Sequence, residues 1–501
     1  MHVTSYVDRV RRLREDLTRA GYFADSVIEA ISDQGQLALT RNHTLASSRA
    51  LAGREDGLAT LIRLFVLQQW QKADVVARTL DVQALVELGI LIQEGEGFKA
   101  AVDIRPYSDE TDGTSGWVVS DHTAALDTQD SRPHASHVLG ISPASVSLAQ
   151  ITSRREVDRG LDLGTGSGIQ SLHLARHVHQ VVATDVNPRA LTLASLTFVL
   201  NEIDVSTRLG SLYEPVKTQT FDIITTNPPF VMSPKIGPRL TYRETDHPSD
   251  DLMKAVVAGA EPRLAPGGSL HVIGNWAHVK GGSWQDRVTT WIPPGSDALF
   301  IQREILDVYE YIEIWLADAG LSGQPSYASH YDQWLAYFDH LGIEAVGMGW
   351  ITMVKSGSTT PRVVCEHWPY PVDQILASDL MAHTTAMDYD TWSDSEILDR
   401  AWLLAPGTMQ ETTGVPGQPD PTHVVLRRTD GLRRAVEVDT GLGGVLGACD
   451  GDLVLGRILS AVADLIGADA TAVRGEMMPQ IRRLISQTWL SPAPSHPADL
   501  S

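Results

Sequence analysis

The sequence FDIITTNPPF, residues 221–230, ends a run of strand-forming residues with an amide side chain, two prolines and an aromatic ring. Pro228 and Pro229 have no N–H to donate to a sheet or a helix, and Pro228 also keeps Asn227 out of the helical region. The chain is therefore predicted to leave a strand through a stiff corner that offers an amide side chain and carbonyl oxygens to a ligand.

The acceptors of this corner, which we call the amine clamp (Asn227–Phe230), suit one kind of chemistry. The side-chain oxygen of Asn227 and the carbonyl oxygen of Pro228 can accept both N–H bonds of a planar NH2 group, whose lone pair is otherwise delocalised. They would pull the nitrogen toward tetrahedral geometry and stabilise the positive charge that develops as it attacks an electrophile. Phe230 would stack on a flat amide or base. The alternative is a strand-end turn with an asparagine cap, which accounts for most isolated Asn-Pro-Pro triplets.

A second motif, GLDLGTGSGIQSLHLARH at residues 160–177, predicts a nucleotide cradle. A buried strand leads into a loop with glycines at positions 164, 166 and 168, and a helix begins at Ile169. Glycines let the backbone approach a ligand closely, and the start of the helix presents free N–H groups. A dinucleotide site has the spacing G-x-G-x-x-G, whereas this loop has Ile169 at the sixth position and Asp162 before the first glycine. The motif therefore departs from NAD binding.

Asp185 ends the second predicted strand in VVATDVNPRAL, 21 residues after Gly164. A carboxylate at this place can accept hydrogen bonds from both hydroxyls of a ribose. The alternative for Asp185 is an N-cap of the helix that follows Asn187 and Pro188. Because a glycine-rich loop precedes it, we expect Asp185 to bind a ribose, with Asn187 sharing the capping role.

The motifs LDLGTGSG, ATDVNP and TTNPPF, in this order, resemble those of the class I S-adenosylmethionine (SAM)-dependent methyltransferases of the amino-group branch. This branch includes the release-factor glutamine-N5 methyltransferases and the rRNA guanine-N2 and adenine-N6 methyltransferases. The resemblance spans residues 136–364 and includes HVLGISPASVSLAQ as a lead-in segment. It implies a Rossmann-like, doubly wound sheet of seven strands and SAM as the cofactor.

The resemblance also implies roles for particular residues. Asp162 and the loop from Gly164 to Gly168 would hold the methionine part of SAM, and Asp185 the ribose. Ser211, in LGSLYEP, stands where many relatives carry an acidic residue that binds the adenine amino group. The implied cofactor-binding residues are Asp162, Gly164, Thr165, Gly166, Gly168, Asp185, Asn187, Ser211 and Asn227. The implied catalytic residues are Asn227, Pro228, Pro229 and Phe230.

Short apolar strands alternate with helices in the middle of the chain, which predicts a mainly parallel α/β sheet. Residues 307–341, rich in Tyr, Trp and Ile at helical spacing, indicate an inserted helical piece. The predicted strands are Arg159–Leu163, Gln180–Thr184, Val205–Leu209, Phe221–Thr226, Ser269–Asn275, Ala298–Glu304 and Ala345–Val354.

Two smaller units are predicted to flank a catalytic domain at residues 107–360. Residues 1–106 show helices, then a helix-turn-helix and a hairpin signal at EGEG, which is typical of a winged-helix-like unit that recruits substrate. The alternative is a small docking or lid domain, which the near-neutral charge balance of this segment favours over contact with DNA or RNA. Residues 361–501 show strands around a turn and two helices, a second winged-helix-like pattern, with a disordered tail from residue 491.

Composition sets broad limits. The 501 residues are 43% hydrophobic and 20% charged, typical of a soluble globular protein. No apolar run approaches the roughly 20 residues needed to cross a bilayer, and the start of the chain does not read as a secretory signal. Cys365 and Cys449 are expected to be reduced packing residues in the cytoplasm. His173 and His177 lie four apart on a predicted helix, but no HExxH motif accompanies them and no metal is expected.

Charge and the clamp leave several substrate classes open. The net charge of −22 argues against broad phosphate contact, although residues 1–105 are close to neutral with 13 basic and 14 acidic side chains. Phe230 and the N-terminal helix-turn-helix favour an RNA base, the predicted substrate, whereas the acidic charge favours a protein glutamine. The clamp is also compatible with a small-molecule amine as substrate, and the cofactor motifs with a regulator that only senses SAM.

The N-terminal helix offers the best available phosphate contacts if the substrate is RNA. These are Arg9, Arg11, Arg12, Arg14 and Arg19, all in one predicted helical stretch. A basic rim around the clamp would favour RNA, and an acidic or neutral rim would favour a protein or a small molecule.

Overall fold

The computed structural model describes residues 5–123, 126–127, 134–236, 240–244, 247–374, 376–417 and 421–494. Most of the tail predicted to be disordered lies outside these ranges. Within them, no helix is both long and apolar enough to cross a membrane.

The N-terminal unit is a cluster of helices that ends in a small sheet and a hairpin. Its elements are α1 (Tyr6–Arg19), α2 (Ala24–Leu39), α3 (Leu45–Ala50), α4 (Gly57–Leu61), a π-helical turn (Ile62–Val66), β1 (Gln71–Lys72), α5 (Ala73–Ala77), α6 (Val82–Glu87), β2 (Leu91–Glu94), β3 (Gly97–Ala100), β4 (Asp103–Asp109) and β5 (Thr114–Ser120). Strands β1, β3 and β2 form one antiparallel sheet, and β4 pairs with β5. Helix α1 begins at a capping box of Ser5 and Asp8 and buries Val10, Leu13 and Leu17 on one face, as an amphipathic helix should.

The central unit is an α/β domain on one mixed sheet. Its elements are α7 (Pro143–Ile151), β6 (Val157–Leu163), α8 (Ile169–Leu174), β7 (Val178–Asp185), α9 (Pro188–Leu200), β8 (Val205–Leu209), β9 (Phe221–Thr226), α10 (Asp251–Ala260), β10 (Leu264–Val279), α11 (Trp284–Thr289), β11 (Asp297–Asp307), α12 (Val308–Asp318), α13 (Tyr327–Leu341), β12 (Ile343–Val354) and β13 (Val363–His367). The strand order is β8-β7-β6-β9-β10-β12-β11-β13. Strand β12 is antiparallel to both of its neighbours, and the other pairs are parallel. The predicted α/β class is confirmed.

The sheet has eight strands where the sequence predicts seven. The additional strand, β13, pairs with β11 at the sheet edge and lies after residue 360, the predicted end of the catalytic domain. An edge strand has a partner on one side only, and none of its five residues is fully buried, so hydrophobic alternation does not mark it. The helical insertion at residues 307–341 is present as α12 and α13, and its Tyr311, Trp334 and Phe338 are buried.

The N-terminal unit shares a hydrophobic core with helix α9 of the central domain. Buried Leu17 of α1 and Trp117 of β5 belong to one cluster with Leu193, Leu196 and Leu200 of α9. Helix α9 connects β7 to β8 and packs on both strands. Residues 5–120 are therefore packed on one face of the central domain.

The C-terminal unit has two small antiparallel sheets and a set of helices. Its elements are α14 (Ala377–Ala386), α15 (Asp394–Leu398), β14 (Ala401–Leu404), β15 (Thr408–Thr413), β16 (His423–Arg428), β17 (Ala435–Val438), α16 (Thr440–Gly447), β18 (Asp450–Val454), α17 (Leu455–Ile466), α18 (Ala470–Ser486) and β19 (Leu490–Pro492). The sheets have the orders β18-β14-β19 and β15-β16-β17. Buried Arg434 joins this unit to the central sheet by donating to the Glu366 carboxylate of β13 at 2.8 Å. Cys365 and Cys449 are both free thiols.

Candidate functional site

A cavity of about 530 Å³ opens at the carboxyl ends of β6, β7 and β9. Ligands of open parallel sheets bind at this edge, where neighbouring strands are followed by loops on opposite faces. The predicted residues that line it are Asp162, Gly164, Thr165, Gly166, Asp185, Asn187, Ser211, Asn227, Pro228 and Pro229. Gly168 and Phe230 are not among the lining residues. None of the described lining residues is lysine or arginine, whereas Asp162, Asp185 and Glu244 bring three carboxylates.

The glycine-rich loop follows β6 in a left-handed backbone. Gly164 has φ +74° and Gly166 φ +56°, and a Cβ added at either position would meet no atom within 4 Å. The main-chain N–H of Gly164 donates to the Thr184 carbonyl at 2.8 Å, which ties the loop to β7. Gly168 differs, since its φ is +87° and an added Cβ would lie 2.6 Å from Phe198 Cε1 of α9. Gly168 therefore begins α8 and packs on α9, while Gly164 and Gly166 leave room for a ligand.

Asp162 is buried beneath the loop. Its Oδ2 atom accepts hydrogen bonds from Thr165 Oγ1 at 2.7 Å, from Ser171 Oγ at 2.7 Å and from the Ser171 main-chain N–H at 3.0 Å. These bonds fix the loop and the first turn of α8. Among the described residues Oδ1 has no hydrogen-bond partner. Burial raises the pKa of Asp162 to about 6, an effect that the nearby Asp185 carboxylate reinforces.

Asp185 connects three parts of the site. Its Oδ2 atom accepts the Gly166 N–H at 3.0 Å and its Oδ1 atom accepts the Asn187 N–H at 2.8 Å. Burial raises the pKa of this carboxyl group. The cap of α9 is Asn187, whose side-chain oxygen accepts the Arg189 N–H and whose amide donates to the Ser136 carbonyl. The capping role thus belongs to Asn187, and the Asp185 carboxylate faces the glycine-rich loop.

The amine clamp follows β9 as an irregular segment. Among the described residues, neither the Asn227 side chain nor the Pro228 carbonyl has a hydrogen-bond partner. The chain is fixed directly after the clamp, where the Val231 N–H donates to the Arg243 carbonyl at 2.8 Å and the Met232 N–H donates to the Tyr311 hydroxyl at 2.9 Å. The structure therefore holds the corner in place and leaves its two acceptors unengaged.

The Phe230 ring is placed differently from the prediction that it stacks on substrate. It packs edge-on against Trp315, with ring centroids 6.3 Å apart, and contacts the cores on both sides of the sheet. Ser211 lies at the cavity in an exposed turn after β8, at the place predicted for the adenine end.

Part of the remaining wall comes from loops outside the glycine-rich loop and the clamp. His137, Thr241, Tyr242, Glu244 and His247 line the cavity. In sequence, the polar segment with Tyr242, Arg243 and Asp246 is equally compatible with a substrate mouth and with a solvated loop. Arg243 is 5% exposed and bonded to Asp318 and Glu244, and Asp246 lies outside the described residues. Asp318, the partner of Arg243, is distant in sequence, so no local pattern could have revealed that Arg243 is buried.

The described residues include two histidine-carboxylate groups, one of which reaches the cavity through His137. Asp121, His134 and His137 form one, and Asp109, Asp112 and His173 the other. An arginine pairs with a carboxylate in each, Arg189 with Asp121 and Arg154 with Asp112. Both ring nitrogens of His173 are engaged, by Asp112 at 2.8 Å and by the Tyr107 hydroxyl at 3.0 Å. Burial lowers the pKa of His173 to about 4.

Comparison with known proteins gives the motifs a family. Residues 140–280 match the family model described as "Methyltransferase small domain", and residues 19–101 match a domain of unknown function, DUF7059. A release factor glutamine methyltransferase of Geobacter sulfurreducens is 33% identical over 123 residues, which is 22% of this chain and 43% of that protein. Ribosomal RNA small subunit methyltransferase C of Alcanivorax borkumensis is 30% identical over 115 residues, 23% of this chain and 31% of that protein. The chain thus spans less than half the length of these relatives.

Solved structures give weaker similarities. A Thermus thermophilus 16S rRNA N2 G1207 methyltransferase, in complex with AdoMet and guanosine, aligns over 44% of this chain and 57% of that chain, with 18% identity and a TM-score of 0.26. An rRNA methylase from Streptococcus thermophilus aligns over 43% of this chain and 98% of that chain, with 16% identity and a TM-score of 0.25. The sequence matches carry the assignment: residues 140–280 belong to the methyltransferase small domain family and are homologous to release factor glutamine methyltransferases and ribosomal RNA small subunit methyltransferase C.

Proposed function

We propose that this protein transfers a methyl group from SAM to a planar NH2 group. The observation that carries the proposal is the amine clamp. Its Asn227 side chain and Pro228 carbonyl have no hydrogen-bond partner in the described part of the chain, and Asn227 and Pro228 line the same cavity as the glycine-rich loop and Asp185. A strand-end turn would use the asparagine as a cap, and a protein that only senses SAM has no use for two paired acceptors.

The charge of the cavity fits SAM better than a dinucleotide. SAM carries a sulfonium and an ammonium against one carboxylate, a net positive charge, whereas a dinucleotide brings two negative phosphates. Of the three lining carboxylates, Glu244 is paired with Arg243, whereas Asp162 and Asp185 have no lysine or arginine partner among the described residues. Opposite charges at short range attract strongly in a partly buried site, so this lining favours a cation. When bound, SAM supplies the electrophilic methyl group.

The residues around the cofactor have separate roles in this proposal. A carboxylate has about four acceptor sites, and Asp185 uses two of them on the Gly166 and Asn187 N–H groups, so two remain for ribose hydroxyls. Asp162 positions the loop through Oδ2 and offers Oδ1 to the ammonium end. Gly164 and Gly166 let the backbone approach the ligand, and Ser211 accepts from the adenine amino group.

The clamp residues act on the methyl acceptor. Asn227 Oδ1 and the Pro228 carbonyl accept the two N–H bonds and so hold the nitrogen lone pair toward the methyl group. As the N–C bond would form, the bond from the methyl group to sulfur would break and leave S-adenosylhomocysteine as a neutral thioether. The positive charge that passes to nitrogen would strengthen both hydrogen bonds, which lowers the barrier. The extra proton becomes acidic only after methylation and leaves to water, so no strong general base is required. Pro229 stiffens the corner, and Phe230 anchors it against Trp315.

Two acceptor classes match the clamp, a nucleobase amine in RNA and a glutamine side chain in a protein. The resemblance in sequence favours RNA, but the described charges favour the protein. The described cavity wall has no lysine or arginine for a phosphate, and each of the five arginines of α1 is near a carboxylate. Those pairs are Arg9–Glu87, Arg11–Asp8, Arg12–Asp81, Arg14–Glu202 and Arg19–Asp16. A neutral amide is the acceptor that this surface suits best, and the cytoplasm is its proposed place of action.

In this proposal the two units that flank the catalytic domain, residues 1–106 and 361–501, recruit the substrate. Helices α5 and α6 with the hairpin β2–β3 support a winged-helix-like assignment for residues 1–106, and the pair α17–α18 supports the same assignment for residues 361–501. The catalytic domain then comprises residues 107–360 together with the edge strand β13.

Transfer of a tritiated methyl group from SAM into an extract of the source cells tests the function and the acceptor class together. We expect label in macromolecules that is lost on protease treatment and kept after RNase. Loss to RNase would instead make RNA the acceptor and overturn the charge argument. Label no greater than with Asn227→Ala would overturn methyl transfer at this clamp.

A further inference from the structure

We propose that helix α12, inserted between β11 and β12, aligns the amine clamp with the cavity wall, and that Tyr311 and Asp318 are its two positioning residues. The inference rests on the proposed function, since it places α12 on the acceptor side of the same site. The inference is based on the contacts of Tyr311, Trp315 and Asp318, which lie on one face of the helix.

Tyr311 fixes the chain that leaves the clamp. Its hydroxyl oxygen accepts the Met232 N–H at 2.9 Å and an Asn275 side-chain N–H at 3.0 Å. The side chains of Tyr311 and Asn275 are fully buried, and burial raises the pKa of Tyr311, so the phenol stays protonated. The two prolines of the clamp have no N–H, so main-chain N–H groups can anchor this segment only from residues other than these prolines. The Tyr311 hydroxyl is one of these anchors.

Asp318 fixes a second part of the cavity wall, next to the clamp segment. Its Oδ2 atom accepts from the Tyr242 hydroxyl at 3.0 Å and from Arg243 Nη1 at 2.7 Å. Tyr242 lines the cavity, and Arg243 is buried with its guanidinium also donating to the Trp315 carbonyl at 2.9 Å. The bond from the Val231 N–H to the Arg243 carbonyl then joins this wall to the clamp segment.

Trp315 lies between these two anchors. Residues 311, 315 and 318 are separated by four and three positions, the spacing that places side chains on one face of a helix. The Trp315 ring contacts Phe230 of the clamp on one side and lies 5.7 Å from the Arg243 guanidinium carbon on the other. The clamp and the wall are thus bound to one rigid element, and that element sets the spacing between them.

This arrangement matters because the two acceptors must meet both N–H bonds of the substrate at the same time. A displacement of the order of 1 Å lowers catalysis by about 100-fold. Loss of the Tyr311 hydroxyl leaves the Met232 N–H buried without a partner and loosens the clamp. Loss of the Asp318 charge loosens Tyr242 and Arg243. The first change should act on the chemical step and the second on acceptor binding.

The test compares Tyr311→Phe and Asp318→Asn with Tyr22→Phe. Tyr22 is also fully buried and donates its hydroxyl hydrogen to the Ile104 carbonyl at 2.7 Å in the N-terminal unit, so the control loses one buried hydroxyl away from the site. Hydrogen exchange of the whole protein, followed by mass spectrometry of peptides from residues 227–236 and 240–244, reports the anchoring without any substrate. The macromolecular fraction of the extract that accepts label serves as the substrate. Rates of methyl transfer measured at increasing mass concentrations of this fraction separate kcat from KM.

We expect Tyr311→Phe to speed exchange in residues 227–236 and to lower kcat by about 10- to 100-fold with KM within about twofold. We expect Asp318→Asn to speed exchange in residues 240–244 and mainly to raise KM. Tyr22→Phe should lower thermal stability to a similar degree and leave both kinetic constants unchanged. Exchange unaltered at the clamp, or kinetic effects equal to those of Tyr22→Phe, would overturn the inference. If exchange responds as expected but the unaltered protein methylates nothing, the proposed function fails and the anchoring stands.

Discussion

The main-chain N–H of Gly166 donates a hydrogen bond to Asp185 Oδ2 at 3.0 Å, so the glycine-rich loop after β6 meets the carboxylate at the end of β7. One side chain thereby sets the shape of the loop and lines the cavity. A ligand that binds both strand ends will depend on this contact.

Asp185→Ala is predicted to weaken SAM binding by about 10- to 100-fold, because it removes a charged acceptor for two hydroxyls and releases the Gly166 N–H. Isothermal titration calorimetry with SAM and with S-adenosylhomocysteine measures the change. NAD is the control ligand and should not bind. Equal SAM affinity in Asp185→Ala, or binding of NAD, would remove Asp185 from the cofactor site.

Gly166→Ala and Gly168→Ala should separate ligand binding from folding. At Gly168 a Cβ would lie 2.6 Å from Phe198, so alanine there is predicted to lower stability by about 1–3 kcal/mol. At Gly166 a Cβ meets no atom, so alanine brings only the backbone strain of a left-handed residue, about 1–2 kcal/mol, and fills space in the cavity. Thermal melts and SAM titrations of both variants check this. The prediction is wrong if Gly168→Ala lowers the free energy of SAM binding by more than it lowers the free energy of unfolding.

The buried carboxyl group of Asp162 makes the ligand-free protein sensitive to pH. Its pKa is about 6 in the folded state, above the ordinary value of 3.8, so the unfolded chain releases this proton more easily. Its contribution to stability is therefore fully present below about pH 4 and is lost as pH rises through 6. Asp162→Asn should raise Tm relative to the unaltered protein at pH 8, with the gain shrinking toward pH 5, and should weaken SAM binding. A gain in Tm that does not change with pH would contradict the raised pKa of Asp162.

Removal of residues 1–106 is predicted to prevent folding. The sequence suggests that residues 107–501 would keep their cofactor affinity, because residues 1–105 hold no cofactor motif. The structure shows Leu193, Leu196 and Leu200 of α9 in one core with the N-terminal helices. Strand β5 stays in the fragment and also packs on α9, but truncation removes α1 and its buried residues from this core. Each fully buried leucine contributes about 1.5–3 kcal/mol, so the fragment loses the burial that α1 gives to α9. Size-exclusion chromatography and melts of the fragment test this, and a monomeric fragment that melts cooperatively would contradict it.

Site residues within short sequence motifs could be predicted, whereas contacts between segments that are distant in sequence could not. The glycine-rich loop, Asp185 and the clamp lie within short motifs at strand ends, so their positions in the cavity could be predicted. The contact of Phe230 with Trp315 could not be predicted, because Trp315 is 85 residues away and outside the motif. The contacts of Arg243 and Tyr311 could not be predicted either, because they depend on the fold of the helical insertion. The shared core of α1 and α9 also arises from contacts between distant segments, which periodicity does not report.

Single-turnover methyl transfer by Asn227→Ala, with SAM affinity measured in parallel, tests the central claim most directly. The substitution removes one preorganised acceptor and leaves Asp162, Asp185 and the glycine-rich loop unaltered. We predict a transfer rate about 10²–10³-fold lower with nearly unchanged SAM affinity, the scale for loss of one such polar group. An unchanged rate would contradict the account and return the Asn-Pro-Pro-Phe corner to a structural turn.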